Sequence, residues 1–545
     1  MSRLRGDVLQ ISGEITQETS HLDMELASLI ADIGATGSFD RFSGSLPTAK
    51  QRLTAIKGSS PDIIVRSFTL KDGHDALLAY ADGMVDVSQI DRDILLPLHF
   101  LDATAGGSAT DLLADVKNQL TSVGQVSEES RWSRVLPKLT YGSTILFLEG
   151  ARSILVLDTT KFPARPIGQP QSESSLKGPQ AALNEVLLTG INQIRRTIRT
   201  PDLTFETLEM GRYTHTSVAI GYIRGLTNPG LVSAVRRRLQ AIDRDYILYV
   251  NDLQSYLSKE AQTVFPLIRA SERVDWVARD LLNGKVIVMV DNDPFVISLP
   301  SVFMDFMQTT QDYVFSPWKA AIMRIIRFVG MLVGLYLMPL YIALFSVNPD
   351  LVPTKLIMAV AGSRQGVPFP PVMEVVIMWF ILEIIIEAAI RLPQKLGQTV
   401  GLVGAVVVGT AMVRAGLVDD IMIVVATTAA LGYFTAPAFE MTVPWRLLFW
   451  VMIAASFTFG ILGIVLATTV IIAHVASIEV FGVPYTSPFG PLRTTDLPDT
   501  WLRAPMPALW QRPTQTRSLD VVQADPHVPT KQPIDLTKAQ HGTTW

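Results

Sequence analysis

The sequence predicts an α+β membrane protein in which two soluble α/β subdomains precede a domain of transmembrane helices. Residues 1–318 carry charges throughout and alternate short β-branched runs with helical patterns, as soluble α/β domains do. Residues 328–478 are mostly apolar, with runs that reach the ~20 residues a helix needs to cross a bilayer. Residues 493–545 turn polar and proline-rich. The predicted domains are two subdomains over 1–140 and 141–318, a transmembrane domain over 319–480, and a tail over 481–545 that is largely disordered towards its end.

The composition excludes several classes of function. The 545 residues have a net charge of −4 and contain no cysteine, so disulfides, thiolate metal sites and cysteine nucleophiles are excluded. The seven histidines include no close pair with metal-ligand spacing, and no P-loop, GxSxG or HExxH motif occurs. No nucleic-acid-binding motif is present. We therefore expect no enzyme, cofactor, metal or nucleic-acid site. The first residues lack the apolar run of a secretory signal, which predicts a cytoplasmic soluble region.

Short apolar runs bounded by glycine, aspartate or proline indicate the strands of the two subdomains. In the first subdomain, residues 62–68 and 76–85 have this pattern, and a helix follows from Asp111. The second subdomain opens with a predicted hairpin over 143–160 and contains a buried strand over 284–291.

Three arginines on one predicted helix of the soluble region stand out. Arg195, Arg196 and Arg199 are close enough along the helix to form an anion site. The favoured interpretation is an ordinary solvated helix face, because most charge runs are of that kind.

The apolar region predicts about five membrane spans. Basic residues precede the first span, 328–347, and follow the second, 372–390, which places those two ends in the cytoplasm. A third span over 399–413 and a fourth over 421–439 come next. The last apolar run, 447–478, would be ~48 Å long as one straight helix, which is too long for an upright crossing. The basic residues before the first span are Lys319, Arg324 and Arg327.

The last apolar run leaves two topologies open. A single crossing puts the C-terminal tail outside the cell, whereas folding back at Gly460 or Gly463 puts the tail in the cytoplasm. The arginines of the tail favour the cytoplasm. The number of spans accordingly stays open between four and six.

The second span carries charges along one helix face, at Glu383, Glu387 and Arg391. In one interpretation Glu387 pairs with Arg391, Glu383 bonds a neighbouring helix, and Arg391 is an anchor that reaches the membrane surface. In a second, the carboxylates line a cation pathway of an oligomer. In a third, one carboxylate binds and releases a proton in a transporter. The face marks the candidate functional residues under all three interpretations.

Small residues recur every four positions at the start of the third span. Such a stripe lets two helices approach closely, either within one chain or between copies in an oligomer. The spacing does not choose between these partners. The residues of the stripe are Gly397, Gly401, Ala405 and Gly409.

Five ordered motifs resemble the A subunits of spore germinant receptors. They are NPDLVPT (348–354), SRQGVPFP (363–370), the carboxylate helix ending in IRLP, the glycine-rich run 397–418 and FGVPYTSPFGP (481–491). The soluble half adds FP at 265–266, SERVDWV from Ser271 and VDNDP at 290–294, so that the resemblance extends from about Asp62 to Pro505. The connector motif SRQGVPFP is carried by Ser363, Arg364, Gly366, Pro368, Phe369 and Pro370.

The chain departs from the family pattern at several positions. Asn348 stands where histidine is expected, Gln365 where glutamate is expected, and Thr410 where glutamine is usual. The run SLKGPQAAL (175–183) replaces a more basic, glycine-bearing sequence. These differences indicate a divergent branch and leave the family roles of those side chains unassigned.

The resemblance implies a multi-pass receptor subunit in the inner membrane of a bacterial spore, with its N-terminal domain in the cytoplasm. Its implied partners are membrane lipid, further copies of itself, a transporter-like B subunit and a lipoprotein C subunit. It would transduce germinant binding into ion release, as an oligomeric channel. The alternatives from the residues are a secondary transporter that uses intramembrane carboxylates and a non-conducting membrane scaffold. A transporter predicts inverted repeats, of which the sequence shows no convincing second copy.

Overall fold

The computed structural model describes most of the chain and divides it into two compact units. The first unit comprises residues 1–166 and 191–206, and the second comprises residues 167–190 and 207–545. The described residues are 40–58, 60–71, 73–100, 109–119, 125–161, 168–170, 172–173, 175, 177–258, 263–391 and 409–524.

The first unit is built on a five-stranded antiparallel sheet with the order β1-β2-β4-β5-β3. The predicted hairpin at 143–160 is present as β4 and β5. The sequence prediction assigns this hairpin to the second subdomain. In the structure β4 also pairs with β2, so the hairpin belongs to the first sheet. The strands are β1 (Ile63–Thr69), β2 (Asp75–Ala81), β3 (Val126–Glu129), β4 (Ser143–Leu148) and β5 (Ile154–Asp158).

Helices cover both faces of this first sheet. Successive residues of a strand point to opposite faces, so the continuous apolar sequence of β4 supplies both cores: Phe147 packs under α1 and α3, whereas Leu146 packs on the other side. On that second side lie α2 and the helical residues 87–99. The helices are α1 (Leu46–Lys57), α2 (Ala109–Gln119) and α3 (Trp132–Leu139).

A second five-stranded sheet has the order β6-β7-β9-β10-β8. Every residue of β9 is buried, as its uninterrupted apolar sequence predicts. The strands are β6 (Leu203–Met210), β7 (Thr216–Ile223), β8 (Arg269–Ser271), β9 (Val286–Val290) and β10 (Val296–Leu299). The helices of this region are α4 (Leu187–Thr197), α5 (Pro229–Gln240), α6 (Val250–Leu257), α7 (Val274–Leu282) and the single turn α8 (Gln311–Val314).

A bundle of apolar helices follows in the second unit. Among the described residues, two helical stretches, Pro317–Val347 and Phe439–Ser477, are long and apolar enough to cross a membrane by length and composition. The bundle helices are α9 (Pro317–Ile342, with a π-helical extension over Ala343–Val347), α10 (Thr354–Ser363), α11 (Pro371–Arg391), α12 (Gly409–Arg414), α13 (Asp420–Tyr433) and α14 (Thr442–Ser477).

Glycines bring α9 and α13 into backbone contact. A Cβ on Gly334 would lie 2.7 Å from the backbone nitrogen of Tyr433, and a Cβ on Gly432 would lie 2.8 Å from the nitrogen of Gly334. Gly330 and Gly334 form a small-xxx-small pair in the first predicted span. The sequence prediction placed the close helix contact on a later stripe and missed this one.

Helix α14 is broken at Gly460 and folds back on itself. Gly460 has φ 60° and ψ −135°, which lies outside the helical region, and the next amide, of Ile461, donates a 3.0 Å hydrogen bond to Asn348 Oδ1. In a straight helix Trp445 and His474 would lie ~43 Å apart. Instead, both of their rings lie 6.3 Å from the ring of Phe265. The last apolar run therefore has both ends at one place, which is the folded-back alternative of the sequence analysis.

The residues after α14 pack on the second sheet region rather than forming a separate tail. The short strands β11 (Glu479–Val480) and β12 (Val483–Pro484) pair directly after the helix. Further on, the amide of Leu519 donates to the carbonyl of Leu226 at 2.9 Å, and Arg512 Nε donates to the carbonyl of Leu282 at 3.0 Å. The predicted polar tail is thus tied to the second unit through residue 524, the last described residue.

Replacing Gly334 with alanine should destabilise the bundle, because the added Cβ meets backbone atoms of Tyr433 that cannot rotate away. Overpacking of this kind costs roughly 1–3 kcal/mol. The measurement is the unfolding midpoint of the purified protein in detergent. The matched control is Gly362→Ala in α10, where a Cβ meets nothing within 4 Å. An equal midpoint for the two variants would contradict the close contact.

Candidate functional site

The carboxylate helix α11 is tied to the start of α14 through Glu383. Arg446 Nε donates to Glu383 Oε1 at 2.9 Å, and a second guanidinium nitrogen contacts the other carboxylate oxygen. The salt bridge is bidentate, which is the strongest arrangement of a guanidinium and a carboxylate. This contact agrees with the interpretation in which Glu383 bonds a neighbouring helix.

Glu383 and Glu387 also line an open groove on the surface of the bundle. The groove has a volume of about 540 Å³, and Ile384, Ala388 and Arg446 complete its lining. The side chains of Glu383 and Arg446 remain 20% and 31% exposed in the single chain. The carboxylate face is accordingly not sealed inside the bundle of the single chain.

Several predicted site residues fall at or beyond the limit of the described residues. Gly397, Gly401 and Ala405 lie outside them, and so does the side chain of Arg391. Gly409, the last member of the stripe, begins α12, and a Cβ on it would meet no atom of the described residues within 4 Å. The anchor and stripe roles therefore stay predictions.

The connector motif supplies a buried ionic cluster that the sequence prediction missed. Arg364 forms a salt bridge with Glu374 at 3.0 Å. The other carboxylate oxygen of Glu374 accepts a hydrogen bond from the backbone amide of Asp419 at 3.2 Å. Asp419 in turn accepts the hydroxyl of Tyr341 at 3.0 Å and caps α13. Both carboxylates are fully buried. The cluster fastens the connector to α9, α11 and α13, and shows that Glu374 is a structural partner of Arg364.

A second ionic cluster lies where the soluble part meets the first long helix. The carboxylate of Asp312, on α8, accepts a hydrogen bond from Arg324 Nε at 3.1 Å and another from a guanidinium nitrogen of Arg327 at 3.0 Å. Asp312 and Arg324 are almost completely buried. Both arginines belong to α9, so this contact joins α8 to the long helix. We call the cluster around Asp312 and Arg324 the arginine junction.

The C-terminal segment completes the arginine junction through Asp499. Its carboxylate accepts three hydrogen bonds: from Arg324 at 3.0 Å, from Arg279 of α7 at 2.9 Å and from the hydroxyl of Tyr313 at 2.9 Å. Arg503 donates to the carbonyl of Phe315 at 2.8 Å and to that of Asp312. Three separate parts of the chain, namely α7–α8, α9 and residues 499–503, therefore converge on two carboxylates.

The charge of this junction shifts the pKa of Asp312. Burial alone raises the pKa of the carboxyl, but the hydrogen bond and charge of Arg327, with the charge of Arg324, outweigh burial and hold it below its ordinary value. Burial raises the pKa of Tyr313 well above its usual range, so the phenol stays protonated and donates to Asp499. Asp312 is consequently an ionised carboxylate at neutral pH.

Arginines interpreted from sequence as surface charges prove to be buried. Arg324 has the sequence position of a basic flank of the first span, yet its charge is satisfied by Asp312 and Asp499. The helix pattern predicts Arg195 on a solvated face or in an anion site, yet Arg195 is fully buried and pairs with Asp62, at 3.0 Å for one of the two contacts. Single-sequence charge patterns carry no information on such distant partners. Arg196 and Arg199 are exposed, as expected.

Comparison with known proteins decides the family. The model of the Bacillus/Clostridium GerA spore germination protein matches residues 51–515, which include both sheets, the connector and the arginine junction. The chain belongs to the GerA spore germination family. The resemblance inferred from the ordered motifs is confirmed.

Relatives match over most of their own length. Spore germination protein KA of Bacillus subtilis (strain 168) is 32% identical over 467 residues, which are 85% of this chain and 85% of the relative. Spore germination protein GerLA of Bacillus cereus is 28% identical over 486 residues, 89% of this chain and 98% of the relative. The N-terminal domain of the A subunit of the Bacillus megaterium spore germinant receptor GerK3 is 30% identical, with a TM-score of 0.39 over 48% of this chain and 97% of that domain.

Replacing Asp312 with asparagine should destabilise this GerA-family protein by ~3–5 kcal/mol near neutral pH, because it leaves two arginines without their buried partner. A carboxyl with a lowered pKa stabilises the fold above its unfolded pKa of ~3.9, and loses that contribution as the pH falls below this value. The stability gap between wild type and Asp312→Asn should therefore shrink below about pH 4. Denaturant unfolding from pH 6 to pH 3 measures it, with the exposed Asp91→Asn as control. A gap that is constant over this range would contradict the junction.

Proposed function

We propose that this chain is the A subunit of a nutrient germinant receptor in the spore inner membrane, where it transduces germinant binding into ion release. The observation that carries the proposal is that the family match runs without interruption from the soluble sheets through the helical bundle to residue 515. The proposed partners are a transporter-like B subunit, a lipoprotein C subunit and membrane lipid. No enzymatic activity is part of the proposal.

The open carboxylate groove supports an oligomer. Glu383 and Glu387 lie on the surface of the bundle, in a helix whose other residues are nearly all apolar. Charges that face hydrocarbon cost several kcal/mol, so a groove of this kind is stable only against water or another protein. A ring of identical copies provides both, since carboxylates from each copy would then face a shared water-filled pathway that selects cations.

The folded-back helix α14 supports the proposed orientation. Trp445 and His474, near its two ends, both contact Phe265 of the soluble region. If the two halves of α14 each cross the bilayer, the C-terminal segment and the soluble region lie on the same side. With the soluble region in the cytoplasm, the protein is a multi-pass subunit whose C-terminal segment is cytoplasmic.

A secondary transporter is the second candidate, and one observation favours it. Transporters build their substrate sites from discontinuous helices, and α14 is discontinuous at Gly460, where Asn348 caps the second half. Purified protein in liposomes separates the candidates. Ion flux down a single ion gradient supports the channel, flux only with a coupled gradient supports the transporter, and no flux under either condition supports a non-conducting scaffold.

Replacing Glu387 or Glu383 with alanine should slow nutrient-triggered ion release by about tenfold, equivalent to ~1.4 kcal/mol in the barrier, while the protein still accumulates in the spore membrane. Asp350→Ala, at an exposed position in the turn that follows α9, is the control. A double variant distinguishes a role of Glu383 in lining a pore from a role in joining two helices. If Glu383 serves only the contact with Arg446, the exchange Glu383→Arg with Arg446→Glu restores release; if its charge lines the pathway, it does not. Normal release from both alanine variants would exclude the carboxylate role.

Replacing Gly401 with leucine tests the proposed small-residue contact between copies. If the stripe Gly397, Gly401, Ala405 and Gly409 is the interface, the larger side chain separates the copies and lowers the oligomer size on native gels. Gly362→Leu, at an open position of α10, is the matched control. An unchanged oligomer would assign the stripe to packing within one chain.

A further inference from the structure

The arginine junction has more positive than negative charge. Four arginines meet there: Arg279, Arg324, Arg327 and Arg503. Within the described part of the chain, their ion pairs involve two carboxylates, those of Asp312 and Asp499. Because guanidinium groups stay charged at all physiological pH values, the junction carries an excess of two positive charges. Buried charge without a counter-ion is costly, so a site of this kind favours an anion.

Arg503 has a buried N–H group that makes no hydrogen bond within the described residues. Its residue is 7% exposed, and its described hydrogen bonds go to the backbone carbonyls of Asp312 and Phe315 rather than to a carboxylate. Its Nε is buried and has no hydrogen-bond partner among the described residues. A buried, charged donor without an acceptor costs ~1–3 kcal/mol or more, which an incoming oxyanion would recover.

The junction also has an opening to the surface. Arg324 and Asp312 are closed off, but the side chains of Arg279 and Asp499 remain 27% and 25% exposed. The exposed Lys319 lies beside this region, with its ammonium 3.9 Å from the ring of Phe315. An anion that approaches the junction therefore meets Arg279 first.

The position of the junction along α9 matches the headgroup layer of a bilayer. The apolar run of α9 begins at Phe328, directly after Arg327, so Arg324 lies ~6 Å from its start. The headgroup and interfacial layer is ~5–7 Å thick on each side of the hydrocarbon core. The irregular backbone around Asp312 and Asp499 does not fit inside hydrocarbon, which keeps the junction outside the core.

Apolar side chains next to the junction are suited to acyl chains. Ile322 and Ile326 project from an exposed face of α9, each more than half exposed. They lie ~9 Å and ~3 Å before the start of the apolar run at Phe328, close to the depth of Arg324. Basic pockets beside a span, with apolar flanks, are the arrangement that binds anionic lipid headgroups.

We propose that the arginine junction binds the phosphate group of an anionic phospholipid, with Arg503 and Arg279 as its ligands. The phosphate oxygens would accept the spare Nε–H of Arg503 and a hydrogen bond from Arg279 at the rim, and they would offset the excess charge. Because the bound phosphate would bridge α7, α9 and the C-terminal segment, lipid composition would set how tightly these parts hold together. The lipid source of the phosphate rests on the proposed membrane placement, whereas the anion site does not.

The test measures binding to the purified full-length protein and needs no ion-release assay. The protein is placed in nanodiscs of phosphatidylcholine alone, or with added phosphatidylglycerol, and inorganic phosphate is titrated into a parallel phosphatidylcholine sample. The unfolding temperature and the phosphatidylglycerol retained on repurification are recorded. We expect phosphatidylglycerol to raise the unfolding temperature, and Arg503→Gln to weaken its binding about tenfold, the effect of losing one charge-assisted hydrogen bond.

Two further variants keep the result interpretable. Arg279→Gln, at the rim, should weaken binding without removing a buried group, so it serves if Arg503→Gln does not fold. Arg152→Gln, an exposed arginine in a turn of the first unit, should bind as wild type does.

Stabilisation by phosphatidylglycerol but not by inorganic phosphate supports the lipid source, and equal stabilisation by both supports a free phosphate site. Stabilisation by neither phosphatidylglycerol nor inorganic phosphate, or unchanged binding in both junction variants, would overturn the anion site. Failure of ion release in spores with normal lipid binding would count against the proposed function alone.

Discussion

The buried pairing of Asp312 with Arg324 is the contact on which the rest of the second unit depends. It holds the first long helix to the sheet region at one point, and Asp499 extends the same contact to the C-terminal segment. Each of these charges is buried at a cost that only its partners offset. The helices beyond this point are held by this polar contact together with apolar packing of Phe328, Met331 and Trp445 on the core of the second sheet. Packing inside the bundle relies on apolar surfaces and on the glycines of α9 and α13.

The bundle has polar contacts at both of its ends and an open charged face between them. The connector cluster of Arg364, Glu374 and Asp419 fastens one end, and the arginine junction fastens the other. The groove with Glu383 and Glu387 opens at the surface. Because ionic contacts fix the two ends of α9, the surface at the groove can change its contacts without loss of either end contact.

Local sequence patterns were sufficient for elements whose signal is local. The strand at 286–290, the hairpin at 143–160 and the carboxylate helix all follow from composition and periodicity. The place of the hairpin in the first sheet did not, since pairing of β4 with β2 joins residues about 70 positions apart. Long-range ion pairs have the same difficulty: Arg324 and Asp499 are 175 residues apart, and each alone resembles an ordinary surface charge. The Gly330–Gly334 pair was within reach of sequence, as its four-residue spacing is the signal that the later stripe also shows.

The turn at Gly460 has a consequence for how the protein is made. A pair of antiparallel helices can enter a bilayer together from one side, and the chain that follows then stays on the side of the ribosome. Under the proposed membrane placement, the polar residues after α14, with their arginines and aspartates, need not be exported through the lipid. In that placement they stay on the same side as the sheet region. Because Asp499 follows α14 in the sequence, its contact with Arg324 would form only after both halves of the broken helix are made.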